Sequence, residues 1–341
     1  MKTLGKDIDR RGSIALIVLF IILLIVPKFS SYTSLNLFTR IYILSVYAMS
    51  YDILRGYTGF INLGHAAFFG GGAYIGGILF KQLQPTFPVF LLAIIVTVIY
   101  SSLGAYLMGK ISLRKGGSVL TATMITLALG EIVRNTAEKW RSVTNGADGL
   151  TFEIPGFFQN RFAYYYVALI FLVVMAIALR KFIMSPAGRV LLAIRENEQR
   201  VEFLGYNVEK YKLISLQVAA IAGGLAGIMF GIFNRFANTE LLSTNQTINA
   251  LLYTLVGGTG TLYGGIVGST VVNLFQNFLL NLRHIHPIFE RWLIFSGALY
   301  VVVVLFMPKG IVGLWLQYFE NKTRKKRKVL ELEKSSSKQS V

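Results

Sequence analysis

Long apolar runs, separated by short clusters that hold nearly all the Lys, Arg, Asp and Glu, leave this chain few ways to fold. In hydrocarbon every backbone N–H and C=O must find a partner inside the protein, so runs of roughly 20 apolar residues become helices packed on one another. Composition agrees: 54% of the 341 residues are hydrophobic and 15% charged, against roughly a quarter charged in soluble domains. The expected fold is an all-α polytopic transmembrane helix bundle.

Helices are expected at residues 12–29, 35–54, 64–80, 88–109, 118–137, 163–180, 211–233 and 288–306, with an interrupted region at 245–280. The run at 14–26 follows basic residues like a secretory signal, but no small-residue cleavage site follows it, so a retained first helix is expected. The formal charge of +18 sits in loops and tails: Lys2, Lys6, Arg10 and Arg11; Lys110, Arg114 and Lys115; residues 181–212; and residues 321–341. Basic loops stay on the cytoplasmic side, so both termini are expected there. Residues 321–341 carry eight basic and two acidic residues, 8 − 2 = +6, which requires an even number of crossings through 245–280. Splitting that region at 257–265 gives about ten crossings of the cytoplasmic membrane. The chain then divides into a basic N-terminus (1–11), a transmembrane domain (12–314) with a cytoplasmic loop at 181–210, and a basic tail (315–341).

Several chemistries are excluded or disfavoured. There is no cysteine, which removes disulfides, thiol catalysis and Cys-ligated metal. The basic tail has no interleaved aromatic residues, so the partner it implies is lipid and not nucleic acid. Gly258 and Gly260 match a dinucleotide fingerprint, but Tyr263 stands where its third glycine belongs, and no Walker A loop is present. His65, His284 and His286 form no credible metal site beside Arg283 and Arg291. Tyr164 to Tyr166 and Trp140 are expected in an interfacial aromatic belt.

Two glycine-rich stretches interrupt the apolar pattern. Residues 56–74 contain Asn62, Gly64 and His65, and residues 255–268 contain Gly257, Gly258 and Gly260. Broken backbone is tolerated at membrane depth only where protein or a water-filled cavity satisfies it, so these six residues are candidates for lining a translocation path, with a loop entering the third helix as the alternative for the first stretch. Glycine pairs four apart, Gly72 with Gly76, Gly223 with Gly227 and Gly264 with Gly268, permit close helix contact, either as static packing or as a mobile seam. Asp52 with Arg55, and Glu131 with Arg134, are three apart on one helix face, and each is expected to neutralise itself as a structural or gating pair.

The loop at 185–206 has Val190, Leu191, Ile194, Val201 and Leu204 among charges, in the pattern of a short amphipathic helix ending at Gly205. It is too short to span and is expected at the inner surface, as a membrane anchor or as a docking element for a soluble partner. Its Gly188, Arg189, Ala193, Ile194, Arg195, Glu196, Asn197 and Gly205 resemble the cytoplasmic coupling loop of Liv-type branched-chain amino-acid permeases, the translocation subunits of ABC importers. Val201 departs from that pattern. Residues 56–74, 126–134, 144–150, 257–265 and 307–314 agree with the same family in order and spacing, more with its M-type than its H-type.

The resemblance implies a permease without its own ATPase site or cofactor. It would work with a second, H-like permease, two cytoplasmic ATPase subunits that consume ATP, and an extracytoplasmic binding protein. Gly188, Arg189, Ala193, Arg195, Glu196 and Gly205 would then dock the ATPase. Leucine, isoleucine and valine are the expected cargo, and urea or short amides are the alternative within the family. A secondary transporter working without ATP is the rival class, which self-paired carboxylates disfavour. A membrane-embedded enzyme is weaker still, for want of paired carboxylates or a zinc-type His cluster.

Overall fold

The structure, a computed structural model, describes residues 27, 31–113, 118–282, 292–307 and 309–314. The expected first helix apart from Pro27, residues His284 and His286, and the tail at 315–341 lie outside the described residues.

The helix α1 (Tyr32–Asp52) runs directly into a π-helical turn, Ile53–Thr58. There follow α2 (Ala66–Gln82), α3 (Phe87–Ser112) and α4 (Val119–Lys139). A crossover holds α5 (Arg141–Thr144), strand β1 (Leu150–Thr151) and α6 (Gly156–Gln159). Next come α7 (Arg161–Met184), α8 (Pro186–Glu196), α9 (Glu198–Phe203) and α10 (Val208–Asn234). Strand β2 (Phe236–Ala237) pairs antiparallel with β1, Leu150 opposite Ala237, and closes one end of the bundle. The described chain ends with α11 (Thr244–Gly257), α12 (Gly264–Leu282) and α13 (Trp292–Phe306).

Local chemistry sets the boundaries. The side chains of Ser118, Asn160, Ser185, Asn207 and Ser243 each accept a backbone N–H bond at the start of α4, α7, α8, α10 and α11. Pro occupies the first turn of α3 and of α8, where its missing N–H costs nothing. By length and composition α3, α7, α10 and α12 can each cross a membrane. On α3 the outward residues Leu91, Leu92, Ile95, Ile99, Leu103 and Leu107 are all apolar, as lipid contact requires.

The centre of the bundle is α1, buried continuously from Ile41 to Asp52. Beside it α2 crosses α10 so closely that a methyl added at Gly72 would strike the Gly224 carbonyl, and one at Gly227 the Phe69 carbonyl. The glycine spacing therefore builds a tight backbone contact. Two expectations are corrected in this core. Tyr164 and Tyr165 do not belong to an interfacial belt: both are buried, Tyr164 donating its hydroxyl to the Met229 carbonyl and Tyr165 sharing a 2.7 Å bond with the Tyr42 hydroxyl. Trp140 is exposed. The amphipathic helix of the 185–206 loop is two helices, because Asn197 leaves helical geometry to cap α9.

Candidate functional site

Two interrupted segments lean on α4 from opposite ends. After the π-turn the chain passes Gly59, whose added methyl would lie 3.5 Å from the Arg195 side chain on α8, and climbs without helical bonds to Ala66. Side chains of α4 replace the missing helix partners: Thr123 Oγ1 donates to the Ile61 carbonyl at 3.1 Å, and the Leu63 N–H donates to Thr126 Oγ1 at 3.2 Å. At the top of this climb Gly64 abuts Gly130, where an added methyl would lie 2.8 Å from the Gly64 Cα. From the opposite end, a 3-10 turn at Thr239–Leu242 leads into α11, whose first residue, Thr244, donates its hydroxyl to Glu131 Oε1 at 2.9 Å. The starts of α2 and α11 meet in the interior, the Ala66 N–H donating to Thr247 Oγ1 at 2.9 Å. Glu131 lies just beyond the midpoint of α4, so both helices begin near mid-depth of the bundle, as discontinuous helices of transport proteins do.

Asn62 and His65 are fully buried at this meeting point. Asn62 Oδ1 accepts the Gly64 N–H, and His65 Nε2 bonds Ser50 Oγ at 2.9 Å while its ring stacks on Tyr47. The Asn62 amide nitrogen and His65 Nδ1 have no partner among the described residues. The residues Gly257 and Gly258 sit elsewhere, at the α11–α12 turn, where Gly258 (φ +118°) faces the backbone of Lys309 and Gly313.

At the end of the bundle carrying α8 and α9, three chain segments are knotted together. The Asp52 carboxylate, fully buried, accepts N–H bonds from Gly260 at 2.8 Å and Leu262 at 2.9 Å. This corrects the expected pairing with Arg55: among the described residues no ion pair joins the two, and Asp52 is held by backbone N–H groups from a distant turn instead. Arg195 in turn donates from Nη1 to the Gly56 carbonyl in the π-turn. Gly56 and Gly260 pack so closely that a side chain on Gly56 would overlap both Asp52 and the Gly260 nitrogen. A buried carboxylate without partners is costly by several kcal/mol, which explains why the turn presents two N–H groups to it. One arginine and one aspartate thus tie α8 to the breaks before α2 and between α11 and α12.

The α8–α9 hairpin also faces inward more than its pattern implied. Leu191, Ile194, Val201 and Val208 form a small core with Phe182 and Tyr211, while the ion pair Lys212–Glu198 (2.7 Å) ties α9 to α10 and Lys110–Glu209 (3.3 Å) joins α3 to the start of α10. Its apolar face is therefore already covered by the protein itself. Gly188 is buried, while Arg189, Ala193, Glu196 and Gly205 remain exposed, as do Leu192, Phe203 and Leu204, with Phe203 at 90%. Between hairpin, α4 and Phe60 lies a cavity of about 560 Å³, bordered by Arg195, Glu196, Glu209 and Lys212. Glu131 and Arg134 pair as expected, Nε to Oε2 at 2.8 Å, and Glu138 approaches the same guanidinium at 3.6 Å. Among the described residues no cluster of three His, Asp or Glu side chains is placed to hold a metal.

Sequence reasoning passed over Thr123, Thr126, Thr244 and Thr247, which hold the broken backbone. Their signal was present as hydroxyls three apart in apolar helices, a spacing that puts them on one face.

The family model described as "Branched-chain amino acid transport system / permease component" matches residues 33–305. The chain belongs to this permease family. It is 23% identical to the high-affinity branched-chain amino acid transport permease LivM of Salmonella typhimurium, covering 88% of this chain and 74% of that protein. It is 22% identical to LivH of the same organism over 78% of this chain and 90% of the relative. It is also 25% identical to the ribose import permease RbsC of Haemophilus influenzae, over 87% and 92% of the two chains. No solved structure matches significantly. The permease is thus a multi-pass membrane protein of an ABC import family, and the knot described above lies within the matched residues.

Proposed function

We propose that this chain is the translocation subunit through which branched-chain amino acids enter the cytoplasm. The observation that carries the reading is the family match across residues 33–305, joined to an exposed hairpin at one end of the bundle. In this reading the chain pairs with a second permease, receives cargo from an extracytoplasmic binding protein, and has α8 and α9 facing two cytoplasmic ATPase subunits. The work of ATP hydrolysis is done by those subunits. The chain's own part is mechanical, with Arg195 and Asp52 passing hairpin motion to the breaks before α2 and after α11. The similarity to a ribose permease leaves cargo as the part of the reading that most needs measurement.

Because Leu191, Ile194 and Val201 are already buried, the docking contact shifts to the exposed end of α9, Phe203 and Leu204, together with the exposed Arg189 and Glu196 of α8. Phe203→Asp is expected to abolish co-purification of the ATPase while leaving insertion intact, since a large apolar side chain typically contributes about 1.5–3 kcal/mol on burial. Full ATPase recovery with that variant would remove the end of α9 from the interface. The cargo is tested by uptake: a strain lacking this chain, and without a redundant system, should lose high-affinity leucine uptake and keep urea and ribose uptake. Normal leucine uptake would refute the assignment.

A further inference from the structure

We propose that Arg55, Asn62 and His65, gathered around the ring of Tyr51, bind the carboxylate and ammonium of an α-amino acid inside the bundle. The inference deepens the reading of the chain as an amino-acid permease and rests on it.

The starting observation is how much hydrogen-bonding capacity this part of the core leaves unused. The Tyr51 hydroxyl, the Asn62 amide nitrogen and His65 Nδ1 are all buried without a hydrogen-bond partner among the described residues. Their rings and backbones meet: Tyr51 packs edge-on against His65 with centroids 5.5 Å apart, and its hydroxyl lies beside the Asn62 backbone. Interior polar groups are nearly always paired, so three orphans on one ring call for partners from outside the chain.

The bonds that are made fix what the orphaned atoms can do. Ser50 Oγ gives its single hydrogen to the Tyr47 carbonyl at 2.7 Å, so it accepts from His65 Nε2 at 2.9 Å. A ring buried with no anion against it is neutral, and with the proton on Nε2 its Nδ1 is a lone-pair acceptor. Asn62 Oδ1 is taken by the Gly64 N–H, which leaves the amide nitrogen as a donor. A cation stands close by. Arg55, half-buried in the π-turn, acts electrostatically on the Tyr51 hydroxyl but joins no ion pair among the described residues. Its expected partner, Asp52, is occupied by the Gly260 turn.

A free cation, a donor and a lone-pair acceptor around one ring match a zwitterion. The carboxylate meets Arg55 and the Asn62 amide, and the ammonium donates to His65 Nδ1 and the Tyr51 hydroxyl. The start of α2 at Ala66 adds its positive end on the carboxylate side, as interrupted helices do in transport proteins. Tyr47 and Phe68, whose rings lie 5.4 and 5.9 Å from that of His65, offer an apolar wall to a branched side chain. Access depends on the broken segment. Gly59, Ile61 and Leu63 are partly open while Phe60 and Asn62 are buried, the alternation of an extended strand with Asn62 on its inner side. The same segment begins at Gly56, held by Arg195, so hairpin movement that shifts Gly56 opens or closes the site.

The test uses the complete complex in nanodiscs, without binding protein, and direct binding of three labelled probes: leucine; isocaproate, which lacks the ammonium; and isoamylamine, which lacks the carboxylate. Arg55→Gln is expected to weaken leucine and isocaproate tenfold or more and to leave isoamylamine unchanged, as loss of one charge-assisted bond implies. His65→Gln, which keeps a polar atom near Ser50 and none at the Nδ1 position, is expected to weaken leucine and isoamylamine and to spare isocaproate. His65→Asn, with an oxygen near that position, should recover leucine binding, and failure to do so overturns the assignment. A merely structural role would weaken all three probes together, and that result overturns the site. Unchanged leucine affinity in Arg55→Gln and His65→Gln would give these groups to internal water only and overturns it as well. So does absent leucine binding by a wild-type complex that transports leucine. Loss of the second permease from the Arg55→Gln complex also overturns it, since the charge would then belong to the subunit contact. A wild-type complex that fails to transport leucine with binding protein and ATP refutes the functional reading instead.

Discussion

At the scale of single residues, Arg195 has the most specific position. It sits on the exposed hairpin but donates inward to the Gly56 carbonyl, beside the buried Asp52 that holds the Gly260 and Leu262 N–H groups. A docking residue would point at the partner, whereas one that joins hairpin to bundle serves to transmit movement. Arg195→Ala is therefore expected to keep the ATPase bound while uncoupling it: hydrolysis continues but loses its stimulation by loaded binding protein, and transport falls at least tenfold. A charge-assisted bond contributes about 1.5–3 kcal/mol, enough for that loss. Purified complex with unchanged transport, or with the ATPase missing, would assign the residue another role.

At the scale of elements, the interrupted helices depend on α4 as a pillar. The stretch from Gly59 to His65 has no ladder of its own, so Thr123 and Thr126 supply the donor and acceptor, respectively, that a helix would have supplied. Thr123→Val with Thr126→Val should leave backbone groups of Ile61 and Leu63 unpaired in an apolar interior, at about 1–3 kcal/mol each. A lowered thermal midpoint of the purified permease, with α-helical content unchanged, is the expected result; an unchanged midpoint would mean that water takes over those bonds. The double break itself was legible from glycine, Asn62 and His65 interrupting an apolar run. That Asp52 would leave Arg55 for Gly260, about two hundred residues away, was not, because spacing along one helix says nothing about a competing partner from another segment.

At the scale of the whole molecule, the hairpin and the β1–β2 end lie at opposite ends of the bundle, and by the positive-inside rule we expect the basic hairpin side in the cytoplasm. A cysteine-free chain makes this directly testable. Gly156 has open space around it, so Gly156→Cys is tolerated, and Gln199 is exposed on α9. An impermeant maleimide added to spheroplasts should label Gly156→Cys and reach Gln199→Cys only after the membrane is opened. The reverse pattern would invert the topology and place the hairpin away from any cytoplasmic ATPase.

The sequence by itself determined what depends on local composition: that the chain is a bundle of apolar helices, where most of them begin and end, where two of them break, and which loop is amphipathic. These follow from hydropathy, glycine and capping side chains, all of which act within a few residues. Tertiary structure alone decided which groups meet across the bundle: Asp52 with the Gly260 turn, Thr126 with Leu63, Thr244 with Glu131, and the hairpin's apolar face with the protein in place of a partner. Those contacts are set by helix packing and by the requirement that every buried polar group be satisfied somewhere, and the chain leaves that choice open until its helices are assembled.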